Sequence, residues 1–232
     1  MKALILSASR FRRRSTTSML LNPFMAGLRE SGVECDYFNT FGLTIAPCRG
    51  DLSCWFKTKG KCIHNDDMNT IIPLFKAADL IVLSTPVYVD GMPGDLKTVF
   101  DRLVAIGNPY FEIRNGQTRH PFTHENTLKK LVLISSCGLW EIEHFDPLLT
   151  HIKAICKNLG LTLSGTLLRP HSFTMRNFNI NEILSASKQA GNEIFKYGSV
   201  SIETQNVVSQ EIVPQHTYMD LMNNKAHSLL NP

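Results

Sequence analysis

Long apolar runs are missing from this 232-residue chain. No stretch approaches the roughly 20 consecutive apolar residues a helix needs to cross a bilayer, so no membrane partner is expected. The opening Met1-Lys2-Ala3-Leu4-Ile5-Leu6 is too short for a secretory leader and runs into Arg10-Phe11-Arg12-Arg13-Arg14 without a cleavage pattern. A soluble, cytoplasmic protein is the expectation. A strong excess of charge is missing too. The formal net charge is only +4, too small to point to nucleic acid by itself. The Arg10 to Arg14 cluster stands before a helix, where it suits a phosphate or a solvated surface better than a nucleic-acid strand. No internal repeat or low-complexity tract occurs. Apolar segments recur from the first residue to about Leu168, which excludes a disordered chain. In a reducing compartment the six cysteines (Cys35, Cys48, Cys54, Cys62, Cys137 and Cys156) are expected as free thiols or ligands rather than disulfides.

What is present is alternation of strands and helices. Lys2 to Ser7, Val33 to Phe38, Leu80 to Ser84, Leu131 to Ser135 and Leu161 to Leu168 read as strands. Leu-Ile-Val-Leu-Ser at 80–84 has the continuous apolar character of a strand buried on both faces. Thr16 to Glu30, Asp66 to Ala77, Pro93 to Ala105, Phe145 to Leu159 and Asn181 to Lys196 read as helices, with Asp66 and Asp67 suited to a positive helix start. Thr40 to Asn65 is irregular and Gly107 to Asn126 is a long polar excursion. The pattern predicts an α/β fold: a flavodoxin-like three-layer sandwich whose five-stranded parallel sheet has the order 2-1-3-4-5. Residues 1–198 form that domain. Residues 199–232 form a C-terminal extension, with Ser199 to Pro214 an extended arm and Tyr218 to Leu230 a possible short helix.

Ligands of open α/β sheets bind beyond the carboxyl ends of the strands, so three loops matter. The first runs from Ser7 to Ser18 and sets Ser9, Arg10, Ser15, Thr16 and Thr17 before a helix. Hydroxyls and free helix N–H groups make a phosphate cradle there, to which arginines add charge. An ordinary N-cap beside solvated arginines is the plainer alternative. The loop lacks both the glycines of a dinucleotide fingerprint and the Gly-Lys pair of a P-loop, so a monophosphate fits best. The second loop holds Pro86, Val87, Tyr88, Val89, Asp90 and Gly91, suited to gripping a flat polar ring, with Gly91 and Gly94 allowing close backbone approach. The third holds Ser136, Cys137, Gly138 and Trp140, with Cys137 either a reactive thiol or, more simply, a small buried filler.

With these loops the chain resembles the NAD(P)H-dependent FMN reductase superfamily, close to its iron–sulfur flavoprotein branch. The segment Pro86-Val87-Tyr88, Asp90-Gly91-Met92-Pro93-Gly94, Lys97 and Asp101-Arg102 carries the resemblance most specifically. Ser9, Ser15 and Thr16 match the family's phosphate loop, whereas Ala8, Arg10 and Arg14 replace its usual Gly, Pro and Gly. The resemblance implies FMN, with its phosphate at Ser9, Ser15, Thr16 and Thr17 and its ring against Pro86 to Gly91 and Ser136 to Gly138. It implies NADPH or NADH as co-substrate and a small acceptor such as a quinone, free flavin or metal ion. It names no general acid or base, because the cofactor carries the chemistry. A homo-oligomer, dimer or tetramer, is expected through the C-terminal arm.

The segment Pro47 to Trp55 with Cys62 resembles the cysteine motif that holds a [4Fe–4S] cluster in that branch. Such a cluster takes four thiolates. Cys48, Cys54 and Cys62 are present, but Asp51 stands in place of the second cysteine. A loop folded without metal is the expectation, with an iron–sulfur electron-transfer protein or a non-catalytic flavin-binding module as rival functions. His64 is a possible replacement ligand. Arg119, His120 and His124 either meet the nicotinamide phosphate or substrate, or are solvated.

Overall fold

The structure is a computed structural model describing residues 1–10, 15–121 and 129–231. Arg12, Arg13, Arg14 and His124 lie outside the described residues. Five parallel strands form the central sheet: β1 (Lys2–Ser7), β2 (Glu34–Asn39), β3 (Leu80–Pro86), β6 (Lys130–Ser136) and β7 (Thr162–Arg169). Their order is β2-β1-β3-β6-β7, which is the expected 2-1-3-4-5. The intervening β4 (Glu112–Arg114) and β5 (Gln117–Arg119) make a separate antiparallel hairpin inside the polar excursion.

Alternation along the strands feeds two cores, one on each face. Ala3, Ile5, Leu80, Val82, Val132 and Ile134 point to α1 (Thr16–Glu30) and α6 (Asn181–Tyr197). Leu4, Leu6, Ile81, Leu83, Leu131 and Leu133 point to the other core, which gathers α3 (Met68–Ala77), α4 (Gly94–Arg102) and α5 (Asp146–Leu159). The α1–α6 crossing is close enough to exclude side chains at two points. A Cβ on Gly27 would lie 2.1 Å from the Lys188 carbonyl oxygen, and one on Gly191 would lie 2.3 Å from that of Phe24. This contact fixes α1, whose N-terminus faces the strand ends, against the sheet.

The irregular cysteine segment opens with a 3-10 turn at Thr40–Gly42 and contains a short helical turn, α2 (Ser53–Phe56). It is tied to the domain by a buried ion pair. Asp66 Oδ2 accepts from Arg102 Nη1 at 2.7 Å and Oδ1 from Nη2 at 3.1 Å, while the same guanidinium donates to the Ala46 carbonyl at 2.6 Å. Asp66 therefore does more than offset a helix dipole: it binds α4 to the loop.

The C-terminal segment departs from the extended arm expected at Ser199 to Pro214. Residues Ile202–Ser209 form α7. The helix forms because Ser201 caps it and because buried Glu193 accepts from the Ser201 N–H at 2.8 Å and the Thr204 hydroxyl at 2.8 Å. Val200 and Val208 are buried in the α1–α6 core. Beyond it, α8 (Gln215–Leu230) is longer than the short helix expected at Tyr218 to Leu230.

Candidate functional site

A cavity of about 360 Å³ opens at the carboxyl ends of β1, β3 and β6. Ser9, Arg10, Ser15, Thr16, Thr17, Pro86, Val87, Tyr88, Ser136 and Gly138 line it, so residues from all three expected loops meet in one place. Its size falls within the range of roughly 300–1,000 Å³ typical of ligand pockets.

The cradle half is built on the start of α1. Ser15 is the N-cap, its hydroxyl oxygen accepting from the Ser18 N–H at 3.0 Å. The first-turn amides of Thr16 and Thr17 have no intrahelical acceptor, as in any helix. The turn contains no acidic residue, which leaves the positive helix end for an anion. The Thr16 hydroxyl donates to Ser136 Oγ at 3.2 Å and to Ser172 Oγ at 3.4 Å. Thr17 Oγ1 and Ser136 Oγ share a 2.5 Å hydrogen bond. Ser136, expected near the ring, is thus part of the hydroxyl cluster at the cradle. The Arg10 guanidinium lies 5.0 Å from the Phe41 ring centroid, a cation–π contact that steadies it.

The flat half lies between Pro86–Tyr88 and Gly138–Phe173. A Cβ on Gly138 would meet Phe173 Cε2 at 2.6 Å, so glycine lets that ring close on the wall. Val89, Asp90 and Gly91 do not line the cavity. They form a tight turn in which the Tyr88 N–H donates to the Gly91 carbonyl at 2.9 Å and the Gly91 N–H returns to Tyr88 at 3.1 Å. The positive φ values fall on Val89 (45°) and Asp90 (62°), not on the glycines that the sequence singled out. For a β-branched residue this backbone is strained. Val89→Asn is expected to stabilise the protein by about 1 kcal/mol, which thermal melts of the two proteins would measure.

Cys137 and Trp140 also lie off the cavity lining. Cys137 is buried, its sulfur accepting from the Leu139 N–H at 3.4 Å, and burial pushes its thiol pKa up. That is the plainer of its two expected roles. Trp140 stacks on buried His171, ring centroids 4.2 Å apart. His171 Nε2 accepts from the fully buried Arg169, whose Nη1 donates to the Val208 carbonyl at 2.8 Å. The Tyr218 hydroxyl donates to the Gly138 carbonyl. These residues fasten α7 and α8 to the cavity wall.

Burial, and then the Arg169 charge, hold the His171 pKa down at about 4 from an ordinary 6.5. The unfolded chain therefore binds more protons than the folded one between these values. The resulting stability is complete above pH 6.5 and lost as pH falls toward 4. A loss of roughly 2–3 kcal/mol over that window is expected. Urea denaturation along a pH series measures it, and His171→Phe should flatten the slope.

Four cavity-lining residues had not been anticipated: Ser172, Phe173, Arg176 and Lys225. The first three follow β7, and Lys225 comes from α8. Arg119 donates to Asn158 Oδ1 at 2.6 Å, and the His120 ring packs 4.8 Å from Trp55. Neither lines the cavity.

Cys48, Asp51, Cys54, Cys62 and His64 surround a space of only about 20 Å³, which Arg102 also lines. Asp51 Oδ1 accepts from the Ser53 N–H at 2.8 Å. Among the described residues no group of three or more His, Cys, Asp or Glu is placed to hold a metal ion. Three thiols and a carboxylate engaged in a turn do not fit the four-thiolate set of a [4Fe–4S] cluster.

Fold and cavity define a flavodoxin-like α/β protein whose site suits a planar ligand carrying a phosphate. Residues 1–140 match the family described as NADPH-dependent FMN reductase, and the chain belongs to that family. An iron-sulfur flavoprotein of Methanocaldococcus jannaschii is 33% identical over 106 residues, 45% of this chain and 52% of that protein. An FMN-dependent NADH:quinone oxidoreductase of Colwellia psychrerythraea is 35% identical over 100 residues, 40% of this chain and 45% of that protein. The chain spans about half the length of the curated relatives it matches. Among solved structures, an FMN-dependent NADH-azoreductase from Bacillus anthracis in complex with FMN gives a TM-score of 0.63 at 16% identity, covering 85% of this chain and 99% of that one. An NAD(P)H:quinone oxidoreductase from Methanothermobacter marburgensis gives 0.59 at 16% identity, covering 84% and 96%. At these identities the likeness to solved structures shows the fold.

Proposed function

We propose that the protein is an FMN-binding NAD(P)H-dependent oxidoreductase that passes electrons to a small acceptor, such as a quinone, free flavin or metal ion. The observation that carries this reading is one cavity joining a helix-start anion cradle to a flat wall, in a chain whose residues 1–140 match the FMN reductase family. Among the described residues the lining includes Arg10 and Arg176 and no carboxylate, with Lys225 where the cavity meets α8. The two guanidiniums with the hydroxyls fit a phosphate monoester.

In this reading Ser9, Arg10, Ser15, Thr16 and Thr17 hold the FMN phosphate. Pro86, Val87, Tyr88 and Gly138 border the ring, and Ser136 joins the hydroxyl cluster at the cradle. Bound FMN supplies hydride acceptance from NADPH or NADH and return of two electrons to the acceptor. The protein's own part is to fix the ring, neutralise the phosphate and exclude water on the Gly138–Phe173 side. Residues 1–198 are read as the flavin-binding body and 199–232 as its cover.

Reconstitution with FMN followed by steady-state NADPH and NADH oxidation tests the reading. Turnover with quinone or free flavin is expected. Retention of FMN without oxidation of either nucleotide would instead support a non-catalytic flavin module. The sequence relatives named iron-sulfur flavoproteins favour electron transfer through a cluster as a second reading. Stoichiometric iron and sulfide after anaerobic purification would establish it.

A cytoplasmic, homo-oligomeric protein completes the proposal. Among the described residues all six cysteines are free, and no helix is long and apolar enough to cross a membrane. Tyr110, Phe111 and Ile113 stand exposed on and beside the β4–β5 hairpin, suited to a contact between copies. A monomeric mass by light scattering would remove the oligomer.

A further inference from the structure

We propose that α8 completes a second subsite beside the cavity, one that takes an apolar aromatic electron acceptor bearing a single negative charge. The proposal rests on the oxidoreductase reading and names the acceptor class for the same site. A space of about 470 Å³ lies between α8 and the loops after β6 and β7. Leu139, Phe173, Met219, Met222 and Leu229 supply its apolar walls, and among the described residues Lys225 is the one charged residue lining it. Its volume is that of a small-molecule pocket.

Position decides what the space is for. It shares Gly138, Phe173 and Lys225 with the phosphate-and-ring cavity, so ligands in the two spaces are neighbours. Electron transfer from a bound flavin needs that adjacency. The Tyr218 hydroxyl is turned to the Gly138 carbonyl, which leaves the lower wall apolar. Methionine side chains adapt to rings of different outline.

Charge decides which ring. Among the described residues Lys225 forms no ion pair and no carboxylate lines the space. A neutral ring would use the walls and leave the ammonium unmatched. A ring with one anionic substituent uses both. Phe173 and the α8 residues lie beyond the family-matched residues 1–140.

Isothermal titration of the full-length protein, with and without FMN, tests the subsite using naphthoquinone and naphthoquinone sulfonate. Wild type is expected to bind the sulfonate about five-fold more tightly, and Lys225→Gln to erase that preference while leaving naphthoquinone affinity within about two-fold. Met222→Glu, which puts a charge into the apolar wall, is expected to weaken both probes about ten-fold. Circular dichroism and thermal melts establish that each variant is folded. Equal wild-type affinities, or a sulfonate preference that survives Lys225→Gln, would overturn the proposal. So would a dimer dissociated by Met222→Glu, because a second copy would then cover α8. Probe binding without FMN binding would sink the oxidoreductase reading alone, and FMN binding without probe binding would sink the subsite alone.

Discussion

Thr16→Asp is expected to lose FMN binding by about a thousand-fold while leaving the fold intact or slightly firmer. Thr16 is the first residue of α1 and lines the cavity. No acid occupies that first turn, so a new carboxylate meets the positive helix end and contributes roughly 0.3–1 kcal/mol of stability. It can accept hydrogen bonds from Ser136 and Ser172, the two hydroxyls Thr16 now donates to. In the proposed site the same carboxylate would face the FMN phosphate. Two like charges about 4 Å apart repel by roughly 4 kcal/mol at an effective dielectric constant of about 20, which is about three decades of affinity. Stability and binding thus move in opposite directions. Riboflavin, which lacks the phosphate, is the control: its weaker binding should change little. Equal loss of both ligands from a folded variant would remove the phosphate from the α1 N-terminus.

Asp66→Ala is expected to destabilise the protein by about 3–5 kcal/mol, because it leaves the Arg102 guanidinium buried without its counter-ion. Both side chains are almost inaccessible, at 1% for Arg102 and 7% for Asp66. Asp66 also accepts from the backbone N–H groups of Ala46 at 3.0 Å and Met68 at 3.1 Å. The variant therefore frees the cysteine loop from α3 and α4 together. Burial alone would raise the Asp66 pKa, but the Arg102 hydrogen bond and the two amides outweigh it and hold the carboxyl below its ordinary 3.8. The unfolded state consequently takes up the proton first as pH falls. The pair's contribution is complete above pH 3.8 and is lost as pH drops through the lowered folded value. Chemical denaturation at neutral pH measures the loss. A deficit under about 1 kcal/mol would mean that the pair behaves as a solvent-screened surface bridge.

The sheet was legible because its strands are apolar runs with few competing readings. Leu80 to Ser84 and Leu131 to Ser135 are buried on both faces, and burial of that kind leaves a direct mark on composition. Right-handed crossovers left few strand orders, of which 2-1-3-4-5 is the simplest for five strands. The three loops were legible because the fold rule says where to look. What stayed hidden depends on partners remote in sequence. Helix α7 has little amphipathic pattern of its own, and it forms where Glu193 on α6 accepts from Ser201 and Thr204. Asp66 looked like a helix-end charge because Arg102, its partner, is on another helix. The fourth side of the cavity, Ser172 to Arg176 with Lys225, was missed because the switch-point rule directs attention to the centre of the sheet, not to its edge strand β7. Gly91 was read as allowing close backbone approach, yet it does not line the cavity, and Val89 and Asp90 carry the positive φ. The hydrogen-bonded turn from Tyr88 to Gly91 dictates that, against local preference.

Anaerobic titration of the FMN-loaded protein with NADPH, and separately with NADH, puts the functional reading to its plainest trial. Bleaching of the bound flavin's visible absorption by about one equivalent of at least one nucleotide, reversed on adding a quinone, is the expected result. A folded protein that takes up no FMN, or bound FMN that neither nucleotide reduces, would contradict it.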